Sequence, residues 1–276
     1  MRESGLRFDA KGQAQGCGDQ EQIAADRLRA ISFGDAWGPD DKTLKSEGEC
    51  WWGLRMGIES SGNGAGINAV ILDYGEVLCH RPSPQEFDRL ARTFGLDENS
   101  FAPLWDKNRG AFDRGDISAE AYWIRLAEDA GAQMDAEQLQ QVCEWDIQMW
   151  GNPNEEMVGW LRQLRHGGIK TALLSNIHPA MISYLQKNFA WLELFDFKTF
   201  SAEVRLIKPD RAIYEHTLRG LGVTAKESLF VDDREINVKA ARDLGIQALR
   251  FRSIGQLREE LKAIGFSILP VVDGRD

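Results

Sequence analysis

The sequence predicts an α/β fold in which a parallel sheet is surrounded by helices, with a block of helices following the first strand. Four short apolar runs end in turn or polar residues, which is typical of buried parallel strands. Helical patterns separate them, and this alternation favours a parallel sheet. The interval 80–150 differs because it contains helical patterns and no candidate strand.

The predicted strands cover residues 67–72, 169–174, 228–231 and 247–251. Apolar residues at helical spacing predict helices at 153–165, 212–221 and 235–244. Glycines end these helices: the pair after His166, then Gly222, then Gly245. Asp210 is a candidate N-cap for the second helix.

The interval between the first two strands contains three amphipathic patterns, at 86–94, 118–130 and 136–149. Gly95, Gly115 and Gly131 punctuate them, and Asp116 and Ser118 offer cap groups. We therefore expect a helical unit at 80–150, inserted into a core domain made of 67–79 and 151–276.

Residues 1–66 are rich in glycine and show no clear period, apart from one candidate helix at 20–31. They end in a linker-like stretch at 59–66. We expect this segment to be mostly disordered or a misannotated extension. A related hypothesis is that Met56 is the true start, and native peptides from before Met56 would refute it.

Composition excludes several classes of protein. With 43 acidic against 33 basic residues, the net charge is −10, and Lys and Arg are scattered, so we expect no nucleic-acid partner. No apolar run approaches the roughly 18 residues that span a bilayer, so we expect no membrane association. The four cysteines form no CxxC pair or zinc pattern, which indicates free thiols in the cytoplasm.

Polar side chains follow three of the predicted strands. Asp73 follows the first, Ser175 and Asn176 the second, and Asp232 and Asp233 the third. Ligands bind outside the carboxyl ends of the strands in parallel α/β sheets, so we expect these residues to converge. Lys208 joins them as a candidate, because Pro209 favours a loop rather than a helix at that position.

Carboxylates this close together would repel each other strongly, and a divalent cation would relieve the repulsion. Oxygen-only ligands favour Mg²⁺. A nucleophilic carboxylate, a hydroxyl, a lysine and a carboxylate pair are together what phosphoryl transfer requires.

These motifs, in this order, resemble the haloacid dehalogenase (HAD) superfamily over roughly residues 67 to 265. The motifs are Asp73-Tyr74-Gly75-Glu76-Val77-Leu78, Leu174-Ser175-Asn176, Lys208-Pro209, and Phe230-Val231-Asp232-Asp233 with Asn237. The resemblance implies a Rossmann-like parallel sheet with helices on both faces and a helical cap of the C1 type after the first strand. Within subfamily I, the chain is similar to sugar-1-phosphate phosphatases and to the N-terminal phosphatase domain of epoxide hydrolases.

The resemblance also implies a role for each residue of these motifs. Asp73 would attack phosphorus and form an aspartyl-phosphate, while Ser175 and the Asn176 backbone N–H would bind the phosphoryl oxygens. Lys208 would hold the phosphate and offset the charge of Asp73. Mg²⁺ would bind to Asp73, the Gly75 carbonyl, Asp232 and Asp233, and Asn237 would orient the Asp233 loop.

The chain departs from the family pattern at Gly75, where most phosphatases of the family have an aspartic acid that acts as general acid and base. Glu76, or a residue of the inserted helices such as Glu144 or Asp146, is a candidate substitute. Otherwise the substrate needs a leaving group that departs without a proton, as sugar-1-phosphates and acyl phosphates do more readily than simple alkoxides.

The expected function is a Mg²⁺-dependent phosphatase, a monomer or homodimer, that acts on a small phosphorylated metabolite. One alternative is carbon–halogen hydrolysis, which needs neither the acid nor Mg²⁺, although the retained Asp232-Asp233 pair favours phosphate. Another is a catalytically weak phosphate-binding or interaction protein. Trp105, Phe112 and His178 are candidate substrate contacts.

Overall fold

Residues 66–271 are described by the computed structural model. Within this range, five parallel strands form one sheet in the order β3-β2-β1-β4-β5. They are β1 (Ala69–Leu72), β2 (Lys170–Ser175), β3 (Phe197–Phe200), β4 (Ser228–Asp232) and β5 (Gln247–Arg250). The predicted α/β fold is confirmed, and β1 occupies the centre of the sheet.

The central strand is buried on both faces, which explains its uninterrupted apolar sequence. Val70 and Leu72 belong to the hydrophobic core on one face of the sheet. Ala69 and Ile71 belong to the core on the other face, and all four residues are fully buried.

The helical insertion predicted after the first strand is present and has a hydrophobic core of its own. Its helices are α1 (Pro84–Thr93), α2 (Glu98–Lys107), α3 (Arg109–Asp113), α4 (Ala119–Ala130) and α5 (Ala136–Met149). Aromatic residues dominate this core, and Trp105, Tyr122 and Trp123 pack edge to face within it. Ser118 caps α4 as predicted, with its Oγ accepting from the Ala121 N–H at 3.1 Å.

Helices cover both faces of the sheet. On one side lie α6 (Glu155–His166), α7 (Pro179–Asn188) and α11 (Ile254–Ala263), and on the other lie α9 (Arg211–Leu221) and α10 (Glu235–Asp243). The short helix α8 (Ser201–Val204) and the 3₁₀ helices Ala190–Leu194 and Ala225–Glu227 complete the connections.

Some element boundaries differ from the prediction. Helix α6 begins at Glu155 instead of residue 153, because Asn154 caps it and Pro153 forms an isolated bridge with Cys79. Asp210 occupies the N-cap position of α9, but its side chain makes no capping hydrogen bond. Strand β3 and helices α2, α3, α7 and α11 were not predicted.

The predicted helix at 20–31, the expected disorder of 1–65, and the proposed start at Met56 lie outside the described residues. Among residues 66–271, no helix is both long and apolar enough to cross a membrane. Cys79 and Cys143, the cysteines of this range, are free thiols.

Candidate active site

The carboxyl ends of β1 and β4 bring three carboxylates together. Asp73 follows β1, and Asp232 and Asp233 lie at the end of β4. One carboxylate oxygen from each lies within 4.8 Å of the others. Adjacent parallel strands end at the same edge of the sheet, and this geometry is what the sequence predicted.

A buried lysine connects two of these carboxylates. The Nζ of Lys208 lies 2.7 Å from Asp73 Oδ1 and 2.7 Å from Asp232 Oδ2. Burial disfavours the ammonium, but the charges of Asp232 and Asp73 outweigh it and raise the pKa of Lys208. Lys208 is therefore a permanent positive charge at this edge of the sheet.

The Lys208 backbone is held by the side chain of Asn176. Asn176 Oδ1 accepts from the Lys208 N–H at 2.8 Å, and Asn176 Nδ2 donates to the Lys208 carbonyl at 2.9 Å. The sequence had suggested a role only for the Asn176 backbone. The paired bonds fix the loop that carries Lys208 against the end of β2.

Asp232 is fully buried, and both of its oxygens accept hydrogen bonds. Asn237 Nδ2 donates to Oδ1 at 3.0 Å and to Oδ2 at 3.1 Å, and the Arg234 N–H donates to Oδ1 at 2.9 Å. The supporting contact of Asn237 is therefore with Asp232, whereas the sequence analysis had expected it to orient the Asp233 loop.

Negative charge exceeds positive charge in this cluster, since three carboxylates face one ammonium. Burial raises the pKa of Asp73, and the charges of Asp232 and Asp233 add to the rise against the opposing effect of Lys208. Burial and the neighbouring Asp232 and Glu76 raise the pKa of Asp233 to about 6. A further positive charge would stabilise the ionised form of all three.

Asp73 and Asp233, with Asp232 buried behind them, border a cavity of about 730 Å³, which lies between the sheet edge and the helical insertion. Its polar end contains Asp73, Gly75, Ser175, Asn176, Lys208, Asp233 and Asn237. Its other walls include the apolar residues Pro82, Pro84, Phe87, Ala102, Trp105, Trp150, Ile177 and Met181. The volume lies in the range of small-molecule sites, about 300–1,000 Å³.

Some of the other candidate residues from the sequence line this cavity, and others do not. Trp105, His178 and Glu76 line it. Phe112 is buried in the insertion, where it stacks on His178 and Tyr122. Neither Glu144 nor Asp146 is among the lining residues, so neither is placed to replace the acid missing at position 75.

One charged cluster in the cavity wall was not anticipated. Arg109 Nε lies 3.1 Å from Asp113 Oδ1, and its Nη1 lies 3.2 Å from both oxygens of Asp146. Its guanidinium also lies 4.5 Å from the centre of the Trp105 ring. Arg109 and Asp113 are an i,i+4 pair within α3, which is a local signal, whereas only the packing of α2, α3 and α5 brings Trp105 and Asp146 to them.

Comparison with known proteins identifies the family of this chain. The profile of haloacid dehalogenase-like hydrolases matches residues 67–245. The chain belongs to this family. A HAD family enzyme from Bacteroides thetaiotaomicron shares the fold, with a TM-score of 0.53, 23% identity, and coverage of 68% of this chain and 94% of that one.

Three relatives indicate the chemistry found among similar HAD sequences. A sesquiterpene phosphatase of Aspergillus oryzae is 35% identical over 186 residues, which are 66% of this chain and 89% of that protein. A drimenol cyclase of Aspergillus calidoustus is 26% identical over 199 residues, 72% of this chain but only 36% of the cyclase. An (S)-2-haloacid dehalogenase of Pseudomonas sp. (strain YL) is 28% identical over 131 residues, 48% of this chain and 56% of the dehalogenase.

His178 connects this HAD core to the insertion. It caps α7, with Nδ1 accepting from the Met181 N–H at 3.4 Å, and its ring stacks on Phe112 at 4.3 Å. Nε2 faces Asp146 Oδ2 at 3.5 Å. Burial, assisted by the charge of Arg109 and opposed by Asp146, lowers the pKa of His178 to about 4.

We expect His178 to make the fold sensitive to acid. Between its ordinary pKa of 6.5 and about 4, the unfolded chain binds a proton that the folded chain excludes. The contribution to stability is complete above pH 6.5 and is lost as the pH falls through this window. Its size is at most about 3 kcal/mol.

Chemical unfolding of wild type and His178→Asn at pH 7 and pH 4.5 measures this effect. Asparagine retains a capping acceptor for α7, so the variant should lose less stability on acidification than the wild type. His166→Gln, at an exposed site, should behave as the wild type. Equal losses in the wild type and His178→Asn would contradict the assignment.

Proposed function

We propose that this HAD hydrolase is a Mg²⁺-dependent phosphatase that acts on a small phosphorylated metabolite through an aspartyl-phosphate at Asp73. The convergence of Asp73, Lys208, Asp232 and Asp233 carries the proposal. This set provides a nucleophile, a counter-charge and metal ligands at one end of a cavity. The similarity to a sesquiterpene phosphatase supports phosphate as the group removed.

The contacts of Asp73 favour attack by one of its two oxygens. Both the Tyr74 N–H and Lys208 Nζ lie 2.7 Å from Oδ1. These contacts fix the orientation of the carboxylate and leave Oδ2 as the attacking atom. Attack on phosphorus would form the aspartyl-phosphate and release the leaving group, and water would then hydrolyse the intermediate.

The remaining polar groups would bind the phosphoryl oxygens. Ser175 ends β2 beside Asp73 and is 3% exposed, so its hydroxyl lies at the polar end of the cavity. The Asn176 backbone N–H is the second proposed donor. The Lys208 ammonium would interact with a phosphoryl oxygen as well as with Asp73, and groups held rigidly in this way stabilise developing charge effectively.

The donor set fits a divalent cation with oxygen ligands. Asp73, Asp232, Asp233 and the Gly75 carbonyl would hold Mg²⁺, whose ligands in phosphoryl-transfer sites are carboxylates and phosphate oxygens. The structural observation behind this assignment is that oxygens of Asp73, Asp232 and Asp233 lie within 4.8 Å of one another. When bound, Mg²⁺ would neutralise charge on the carboxylates and the phosphate.

The apolar walls of the cavity favour an apolar alcohol portion in the substrate. Phe87, Trp105 and Trp150 border the space in front of the polar end. The sesquiterpene phosphatase, whose name indicates a terpenoid substrate, is consistent with such a substrate. We therefore propose that the phosphate binds against Lys208 and that the hydrocarbon binds against Phe87, Trp105 and Trp150.

Replacement of Asp73 by Asn should abolish phosphate release, because an amide is a poor nucleophile. We expect a loss of more than about 10³-fold in kcat. Asp129→Asn, in the insertion but outside the cavity lining, is the matched control and should keep wild-type activity. Circular dichroism and thermal melting verify the fold, and near-normal turnover in folded Asp73→Asn would refute the mechanism.

Carbon–halogen hydrolysis is the second candidate function. The absence of a carboxylic acid at Gly75 and the similarity to an (S)-2-haloacid dehalogenase favour it. The carboxylate cluster favours phosphate, because halide displacement does not require it.

Metal removal separates the two functions. After EDTA treatment, we expect phosphate release to stop and to return on addition of Mg²⁺. Halide release from a 2-haloacid that persists in EDTA would instead establish the dehalogenase reaction.

A further inference from the structure

The cavity has no acidic side chain at the position two residues after the nucleophile. A Cβ at Gly75 would lie 3.8 Å from Cζ3 of Trp150, and both residues line the cavity. At this point the cavity wall consists of the Gly75 backbone, and the indole ring of Trp150 lies beside it. A leaving group that departs beside Gly75 receives no proton from that residue.

A leaving group that is stable as an anion departs without a proton from position 75 or from the other acidic residues of the lining, which include Glu76. A simple alkoxide is the anion of a weak acid, with a pKa near that of water, about 16. A phosphate monoester has its second pKa at about 6, so it departs without protonation at neutral pH. General acid help typically contributes about 10²–10⁴-fold, and a phosphoanhydride needs this help less than the phosphate ester of a simple alcohol does.

A second observation concerns Arg234, which lines the same cavity immediately after Asp233. The other cavity cations already have acidic partners: Arg109 pairs with Asp113 and Asp146, Arg81 lies 3.8 Å from Glu76, and Lys208 bridges two carboxylates. No ion pair within residues 66–271 involves the Arg234 side chain.

The position of Arg234 suits a second anionic group of the substrate. Its backbone N–H is anchored to Asp232 Oδ1 at 2.9 Å, which fixes the start of the side chain at the polar end. Asp113, on the wall formed by the insertion, lines the same cavity as Arg234. An anion bound between these walls could pair with Arg234, which makes no other ion pair within residues 66–271.

We propose that the substrate is the diphosphate ester of an apolar alcohol and that Arg234 binds its inner phosphate. This inference rests on the proposed phosphatase function. Asp73 attacks the terminal phosphorus, the bond from that phosphorus to the bridging oxygen breaks, and its electron pair leaves with the alkyl monophosphate. One water hydrolyses the aspartyl-phosphate, so each turnover yields one alkyl monophosphate and one inorganic phosphate.

The test compares two probes that share one alcohol, farnesyl diphosphate and farnesyl monophosphate, with Mg²⁺ present. We expect kcat/KM for the diphosphate to exceed that for the monophosphate by at least about 10²-fold. Mass spectrometry should show the monophosphate accumulating before any free alcohol. p-Nitrophenyl phosphate, whose leaving group is also a stable anion, reports phosphatase activity independently of the inner phosphate.

Arg234→Gln should lower the ratio of diphosphate to monophosphate kcat/KM at least about tenfold, since a charge-assisted contact is lost. Arg125→Gln, at an exposed arginine outside the cavity, is the matched control and should leave the ratio unchanged.

Gly75→Asp should raise the activity on the monophosphate relative to the diphosphate.

The possible failures are distinguishable. If no probe, including p-nitrophenyl phosphate, releases phosphate, the proposed function fails and this inference fails with it. If phosphate is released but the monophosphate is cleaved as fast as the diphosphate, or Arg234→Gln leaves the ratio unchanged, the phosphatase stands and the diphosphate assignment is overturned.

Discussion

The ammonium of Lys208 is the interaction on which the rest of the site depends. Asp73 and Asp232 are almost inaccessible to water, at 6% and 0% exposure, and an unpaired charge at either position would be costly. Lys208 lies 2.7 Å from an oxygen of each, and Asn176 and Asn237 hold the two ends of this arrangement. The network orients Asp73 and holds it beside the cavity.

The three carboxylates leave the cluster with an excess of negative charge, which favours the binding of a cation. One ammonium cannot balance three carboxylates, and burial together with the neighbouring Asp232 and Glu76 raises the pKa of Asp233 to about 6. A divalent cation and a phosphate together would complete the charge balance. The divalent cation would neutralise the carboxylates, and the phosphate would neutralise both the divalent cation and the Lys208 ammonium. Stability and the proposed metal binding and catalysis would therefore depend on the same charges.

The insertion contributes the apolar half of the site. Its aromatic core holds Trp105 at the cavity wall, and Trp150, at the C-terminal end of α5, occupies the space beside Gly75. Hydrocarbon groups can bind there, and no acid is supplied at position 75. The packing of the insertion on the sheet edge would therefore influence both which leaving group departs and which substrate shape fits the cavity.

The sequence predicted the sheet and the positions of Asp73, Ser175 and Asp232-Asp233, because apolar strands followed by polar residues leave a local pattern. Strand β3 was missed since it is short and includes the charged Lys198, and the role of the Asn176 side chain was missed because its partner is 32 residues away. The contact of Arg109 with Asp146 and the position of Trp150 beside Gly75 depend on how distant segments pack, which local patterns do not encode.

The most direct measurement is the identity of the residue that carries phosphate during turnover. The wild-type enzyme, mixed with Mg²⁺ and p-nitrophenyl phosphate and quenched in acid within one turnover, should yield a peptide with a phosphoryl group on Asp73. The same peptide should be unmodified in the absence of Mg²⁺. Steady phosphate release with an unmodified Asp73, or with the phosphoryl group on another residue, would contradict the account.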